Sequence, residues 1–397
     1  MLTRIRHLIT LMTLLGAALP LCGSTKVSLL TCHEGADIYQ LEGHTALRIR
    51  DDRTGDHVVN WGLFDFDAPN FVYRFVKGET DYMAGAAPTP YFLEMYRREG
   101  RTVVEQELAL TPQQSQRLMA LIENNLRPEN RVYRYNYVLD NCATRPLALI
   151  EQAIGDTLTF RDGGTLDNSL TSTFRNAMRS YHTNYPWYQF GIDLALGSGI
   201  DRPITYREAS FAPVSLQAML REAYLPDGSP LVISTDTLVQ GSPDVILPPT
   251  PWYLTPLFWG ILVALCSLAV SMCQIRRHVP STMSRIFDTI LFSVNGIAGL
   301  ILTFLIFVSV HEATSPNWLY LWLNPLCFIA VVAVWSKRLE KLLVCYQILN
   351  FALLIVLSVI LIAGVQSANA AFYPLIAADA MRALSYLITC HREKASR

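Results

Sequence analysis

The sequence predicts an α+β exported domain followed by an all-α transmembrane helix bundle of about five spans, and three observations predict it. Hydrophobic residues fill 51% of the 397 positions and charged residues only 16%, an apolar balance that suits a membrane protein better than a soluble enzyme of this length. The apolar residues are also segregated. From Ser24 to about Thr250 no run approaches the ~20 residues needed to cross a bilayer, whereas apolar segments follow at about 253–273, 287–310, 318–335, 343–365 and 370–390, the last being the weakest. Finally, the opening "MLTRIRHLITLMTLLGAALPLCGS" sets Arg4 and Arg6 before an apolar run and small residues, the build of a secretory signal. Residues 1–24 thus read as a signal peptide or N-terminal anchor, 25–250 as the exported domain and 251–397 as the membrane domain. Leu21 before Cys22 is bulky where a lipidation site needs a small residue.

Basic residues set the orientation. Arg276, Arg277 and Arg285 follow the first segment, Lys337, Arg338 and Lys341 the third, and Arg392, Lys394 and Arg397 the fifth, while the other turns have none. Alternate loops and the C-terminus therefore face the cytoplasm and the domain before the first span faces the periplasm, as in a multi-pass inner-membrane protein. The net charge of −1 implies no nucleic-acid partner. Asp379 and Arg382, three apart in the fifth segment, are expected to pair on one helix face. His311 and Glu312 end the second span, and Asn317, Trp318, Asn324 and Pro325 begin the third. Polar groups at that depth are candidates for function, with helix capping as the plainer role.

Within the exported domain, "HTALRIRDDRTGDHVVNWGLFDF" reads as a β-hairpin turned by "DDRTGD". "NFVYRFVKGETDYMAG" is an aromatic-rich helix or strand before a turn, and period alone does not choose between them. "RTVVEQELAL" alternates as a strand does. "TPQQSQRLMALIENNL" is a helix with Thr111 as N-cap, Pro112 at the first position and Leu118, Leu121, Ile122 and Leu126 on one face. In "YNYVLDNCATRPLALIEQAIG" a second helix starts near Cys142, tolerates Pro146 in its first turn and ends at Gly155.

Cysteine placement raises a question of chemistry. Cys22 is in the leader and Cys266, Cys273, Cys327, Cys345 and Cys390 lie in or beside membrane segments, which leaves Cys32 and Cys142 in the exported domain. The two could form a disulfide. Alternatively, Cys142 is a reactive thiol, since a helix N-terminus lowers a thiol pKa from the ~8.5 of free cysteine toward neutrality. A thiolate nucleophile needs a base, and the exported domain offers His33, His44, His57 and His182. His44 follows Gly43 at a strand start where a partner can approach closely. Asn60 on the facing strand is the first choice to hold its imidazole, with Asp65 or His57 as alternatives. Arg145 either binds a lipid phosphate or pairs with Asp140, and the glycines of "FGIDLALGSGID" read as tight packing.

A histidine on an early strand, a polar residue on the next and "NC" at a helix start resembles the circularly permuted papain-like fold of lecithin:retinol acyltransferase relatives and permuted peptidoglycan peptidases. More closely, "YQLEGHTALRI", "VNWGLFDFDAPNFVYRFVKG", "YNYVLDNCATR", "WYQFGIDLALGSGID" and "HEATSPNWLYLWLNPL" resemble the Lnb-type lipoprotein N-acyltransferases. The resemblance implies that Cys142, deprotonated by His44 with Asn60 as orienter, attacks a phospholipid acyl ester, the oxyanion being held by N–H groups at the helix start. The free α-amine of a lipoprotein's diacylglyceryl-cysteine then takes the acyl group from the thioester. It implies phospholipid and diacylated lipoprotein as partners at the membrane, no cofactor or metal, and Asn141, Arg145, Tyr137, His311, Asn317 and Asn324 as substrate-binding candidates. A cysteine peptidase or amidase on cell-wall peptides, a phospholipase, and a non-catalytic sensor clasped by a Cys32–Cys142 disulfide stand as alternatives.

Overall fold

The computed structural model describes residues 25–395 except 66, 156 and 161–163, so the leader expected over residues 1–24 lies outside the described residues. Strands β1 (Lys26–Cys32), β2 (His44–Asp51), β3 (Gly55–Leu63), β4 (Asp81–Pro88), β5 (Val103–Leu108), β6 (Val132–Arg134) and β7 (Val232–Val239) form one sheet. Its order is β7-β5-β1-β2-β3-β4-β6, antiparallel throughout. Helices α1 (Phe71–Lys77), α2 (Thr89–Glu99), α3 (Pro112–Leu126), α4 (Thr144–Ile154), α5 (Phe174–Tyr181), α6 (Pro186–Ala195) and α7 (Pro213–Arg221) belong to the same domain.

Strand alternation sorts the side chains into two layers. Leu29, Leu47, Val59 and Trp61 face Leu118 and Ile122 of α3, Leu147 and Ile150 of α4, and Leu216 of α7. Leu30, Ala46, Val58 and Val103 face Phe92 and Tyr96 of α2. Central β1 is buried on both faces, and its run "VSLLTC" is apolar or small accordingly. The expected hairpin forms, its turn stapled by the Asp51 carboxylate, which accepts the Arg53 and Thr54 amides at 2.9 and 3.1 Å. The ambiguous aromatic segment resolves as α1, stopped by Gly78 at φ +80°. Thr111 and Gln114 close a reciprocal cap on α3, and Gly155 ends α4.

The membrane part contains α8 (Pro256–Arg277), α9 (Thr282–Phe307), α10 (Cys327–Ala333), α11 (Glu340–Ile362) and α12 (Phe372–Ala395). Among the described residues three helices, Pro256–Arg277, Thr282–Phe307 and Lys337–Ile362, are long and apolar enough to cross a membrane. The expected third segment is broken rather than continuous. A 3-10 turn spans Trp318–Leu321, and only Cys327–Ala333 is α-helical. Asn324 donates to the Tyr320 and Leu321 carbonyls and accepts the Leu326 amide, and Pro325 has no N–H to continue the ladder. The segment nevertheless runs along α9 between Thr303 and Thr289, with the Tyr320 hydroxyl 3.2 Å from Thr303 and the Trp335 indole 2.9 Å from Thr289.

The fifth segment forms α12, a long helix that carries buried polar groups. Asp379 and Arg382 do not pair with each other. Arg382 is bound by Asp288 of α9 at 2.6 and 2.9 Å and donates to Gln274, Ser271 and Ser385. Asp379 accepts from Asn295 at 3.0 Å and Asn350 at 2.7 Å. The physical reason is saturation: a buried guanidinium needs several acceptors in a fork and a buried carboxylate several donors, which neighbouring helices supply and a single i,i+3 partner does not. Close approach elsewhere uses glycine. A Cβ on Gly299 would lie 2.5 Å from the Asn324 backbone.

The domain is bonded directly to the bundle. Gly197 N–H donates to the Ala313 carbonyl at 2.8 Å and Ser198 N–H to Pro316 at 2.7 Å. Gly197 must be glycine there, because a Cβ would sit 2.3 Å from the Pro316 oxygen. Buried Asp193 of α6 collects Arg175, Arg179 and, from the membrane part, Asn369 at 2.9 Å. Of the glycines of "FGIDLALGSGID", Gly197 thus serves tight packing at this junction, whereas a Cβ on Gly191 would meet nothing within 4 Å.

Replacing Arg382 by Leu strands the Asp288 carboxylate in an apolar bundle, which costs about 3–5 kcal/mol. Unfolding in mild detergent should show a large drop in midpoint for Arg382→Leu and recovery of most of it in the Arg382→Leu/Asp288→Leu pair. A single variant as stable as the parent would show that the ion pair does not hold the helices.

Candidate active site

His44 opens β2 because Gly43 makes the turn before it. Gly43 has φ +82° and its place for a Cβ lies 2.4 Å from the Cys32 carbonyl, so no other residue enters the strand this way. Across the hairpin, the His44 Nε2–H donates to Asn60 Oδ1 at 3.1 Å. That bond selects the tautomer whose Nδ1 carries the lone pair. Burial pushes the imidazole down to about 4, and the Asn60 bond opposes this in part. The ring is therefore neutral at neutral pH, and Asn60, the first choice of the sequence reading, is the residue that holds it. Asp65 instead accepts the Asp67 amide in a turn, and His57 stands opposite Ile49 and Pro88 in the sheet.

The β2–β3 register stops at Ala46 opposite Asn60. Beyond it β3 shifts register against β4 between Asn60 and Leu63, around Gly62 at φ +85°. A side chain at Gly62 would meet the Tyr135 ring at 3.3 Å and Cys142 Cβ at 3.6 Å. Cys142, carried on the turn before α4, occupies this opening. Its sulfur is hydrogen-bonded by the backbone N–H of Thr45, the amide that joins His44 to Thr45, and also by the Tyr135 side chain and its own N–H. Strand alternation puts His44 with Ala46 on the α2 side of the sheet, while Cys142 arrives from the α4 side. The sulfur meets the His44–Thr45 peptide where the ladder ends.

The thiol does not have the depressed pKa expected of a helix N-terminus. Burial pushes it up to about 11 against the three hydrogen bonds. Asn141 explains why the helix start does not compensate. Its Oδ1 takes the Ala143 and Thr144 amides at 2.8 and 3.0 Å, and Pro146 has no amide to give. Asn141 Nδ2 in turn donates to the Tyr137 and Phe211 carbonyls at 2.7 and 2.8 Å, which pins the turn that carries Cys142. Thiol and imidazole are thus each neutral at rest.

The disulfide alternative is overturned, since Cys32 and Cys142 are both free. Cys32 belongs to the layer facing α2, packed with Phe92 and Tyr96, and burial pushes its thiol up to about 12. Arg145 takes the plainer of its two roles. Its guanidinium is forked on Asp140 at 2.5 and 2.8 Å and lies 3.5 Å over the Tyr133 ring.

The Tyr137 hydroxyl donates to Glu42, a residue the sequence reading passed over although it stands two before His44 in "LEGH". Glu42 also binds buried His182 at 2.8 Å, and its charge adds to the upward push on the Cys142 thiol. Gly62 likewise stands out only in the structure, whereas Tyr135 lies in the tyrosine-rich flank of Cys142. The tyrosine-rich run before Cys142 and the "WG" after Asn60 were the available signals. His311, Asn317 and Asn324 are bonded elsewhere. His311 Nε2 meets the Phe75 carbonyl at 2.8 Å, Asn317 donates to Leu194 at 2.8 Å and accepts from Gln366, and Asn324 breaks the third segment as described above.

Two family descriptions match the chain, the Lnb N-terminal periplasmic domain over residues 22–181 and the Lnb transmembrane domain over residues 249–394. No curated protein and no solved structure matches it. The first match contains His44, Asn60 and Cys142, and the second covers the helical part from just before α8. The chain therefore belongs to the Lnb family, as a periplasmic N-terminal domain joined to a transmembrane domain.

Proposed function

We propose that this protein is a lipoprotein N-acyltransferase that moves an acyl chain from a phospholipid, through a thioester on Cys142, to the α-amine of a diacylglyceryl-cysteine. The observation that carries the reading is the buried Cys142 sulfur hydrogen-bonded to the His44–Thr45 amide, with His44 held by Asn60. A cysteine on the turn before a helix, and a histidine at a strand start whose orienter lies on the next strand, also support a permuted papain-like site. The proposed topology has five crossings in the inner membrane, with the C-terminus in the cytoplasm. That arrangement puts the thiol at the side of the bilayer where both lipid-bound substrates lie.

In the first half-reaction His44 Nδ1 takes the thiol proton as Sγ attacks the ester carbonyl. The electron pair moves to the carbonyl oxygen, which N–H groups at the helix start would receive. The oxyanion then collapses, the C–O bond breaks, and the lysophospholipid oxygen leaves with the proton from His44. In the second, the neutral fraction of an α-amine with pKa near ~7.7 attacks the thioester, His44 removes its proton, and the C–S bond breaks to restore the thiol. Conversion of an ester to an amide runs downhill, so these steps call for no nucleotide or metal. A neutral resting pair keeps the thiol unreactive until a carbonyl enters. In this reading Asn141 holds the nucleophile's turn, Tyr137 and Arg145 shape the wall beside it, and His311, Asn317 and Asn324 secure the platform on the bundle.

Expressed in cells lacking their own N-acyltransferase, the wild type should add one acyl chain to the N-terminal lipopeptide of a resident lipoprotein, read by mass spectrometry. Cys142→Ser should add none. Release of free fatty acid without lipopeptide acylation would move the phospholipase reading ahead, and cleavage of cell-wall peptides the amidase reading. His44→Ala should slow thioester formation by about 10²–10⁴-fold.

The low pKa of His44 sets the acid limb of the reaction. Protonation removes the base, so thioester formation should stay flat above about pH 5 and fall as pH drops through about 4. Asn60→Asp sets a carboxylate against the imidazole, stabilises the charged ring and should move that limb to higher pH. A limb left in place by this substitution would remove His44 from the role of base.

A further inference from the structure

We infer that α1 is a membrane-immersed helix whose apolar side chains reach the acyl chains of the adjoining leaflet, and that a row of aromatic rings runs from it to Cys142 as the path of the donor chain. The second clause rests on the acyl-transfer reading; the first does not. Helix α1, "FVYRFVK", buries none of its seven residues, and Val72, Tyr73 and Phe75 are 74%, 55% and 49% exposed. A soluble surface rarely concentrates apolar area in this way.

The helix is tied to the end of the second long apolar helix. Val310 N–H donates to the Lys77 carbonyl at 2.9 Å, the Ser309 hydroxyl to Val76 at 2.9 Å, and His311 reaches Phe75. The Tyr73 ring lies 5.9 Å from Phe304 of α9, and Phe307, Val308 and Val310 beside it are exposed as well. The apolar surface of α1 is therefore continuous with that of a helix apolar enough to cross the membrane. Its two cations are turned to acidic partners, Arg74 to Asp81 and Lys77 to Glu79, both at 2.7 Å. An apolar face flush with a spanning helix, with aromatic side chains at its edge, fits the acyl–headgroup boundary of a bilayer.

From α1 the rings follow one another. Phe75 stacks on Phe71 at 6.0 Å, Phe71 on Phe64 at 5.7 Å, Phe64 meets Tyr82 at 5.1 Å, and Tyr82 stacks on Tyr135 at 4.2 Å. Tyr135 is the residue that bonds the Cys142 sulfur, and Gly62 beside both carries no side chain. This row joins α1 to the nucleophile ring by ring, from exposed Phe75 to buried Tyr82, an apolar line along which an acyl chain passes by parting the inner rings.

The test places a photo-activatable benzophenone amino acid at position 72, and separately at Ile233 on the edge strand β7, in full-length protein reconstituted into phosphatidylethanolamine–phosphatidylglycerol vesicles. Irradiation should give lipid adducts at 72 and essentially none at 233, and equal yields would overturn the membrane contact. In the same vesicles Val72→Glu should lower acyl-thioester formation on Cys142 by about tenfold, with Ile233→Glu close to wild type. Lipid adducts at 72 together with unimpaired Val72→Glu would overturn the path while leaving the contact. A wild type that forms no thioester would refute the acyl-transfer reading and with it the path, and the adducts alone would still decide the contact.

Discussion

The hydrogen bond from the Thr45 amide to the Cys142 sulfur depends on a ladder that stops early, and the site depends on that bond. Strands β2 and β3 pair only as far as Ala46 and Asn60. A regular continuation would place β3 where the cysteine now enters. The left-handed backbone of Gly62 turns the strand aside, and the missing side chain leaves room for Cys142 and Tyr135. One glycine thus makes the opening that Cys142 fills. The same few residues of sheet join His44 to Asn60 and the next amide, Thr45, to the thiol.

Burial governs the electrostatics of this opening. Desolvation disfavours the charged form of each partner, so the thiol moves up and the imidazole moves down. At rest the sulfur is therefore a thiol rather than a stored thiolate. A neutral, buried thiol is also less open to oxidation than an exposed thiolate. Asn141 completes the design by spending the first helix amides on its own side chain, so the turn is rigid while the dipole is largely used up.

The domain is positioned by backbone as much as by side chains. Amides of Gly197, Ser198 and Val310 cross between the two parts, and Asp193 gathers cations from the domain and an amide from the bundle. These contacts hold the sheet at a defined height above the helices. Deeper in the bundle, Asp379 and the Arg382–Asp288 pair are fully satisfied by neighbours, which makes them devices of helix registry in a medium that offers no water.

By itself the sequence determined the division into an exported sheet domain and an apolar bundle, because segregation of apolar residues and periodicity are local properties. It also marked Cys142, His44 and Asn60, since a thiol before a helix and a histidine after a glycine are local patterns too. The capped helix α3 and the hairpin were legible for the same reason. What only the tertiary structure decided was how distant groups share space. The thiol pKa depends on how deeply the domain encloses it, which no spacing reveals, and Glu42, Tyr135 and Gly62 join the site through contacts across tens of residues. The partners of Asp379 and Arg382, the break at Asn324 and the junction at Gly197 likewise arise from neighbouring helices, because a buried polar group takes whichever partners the packing brings within reach.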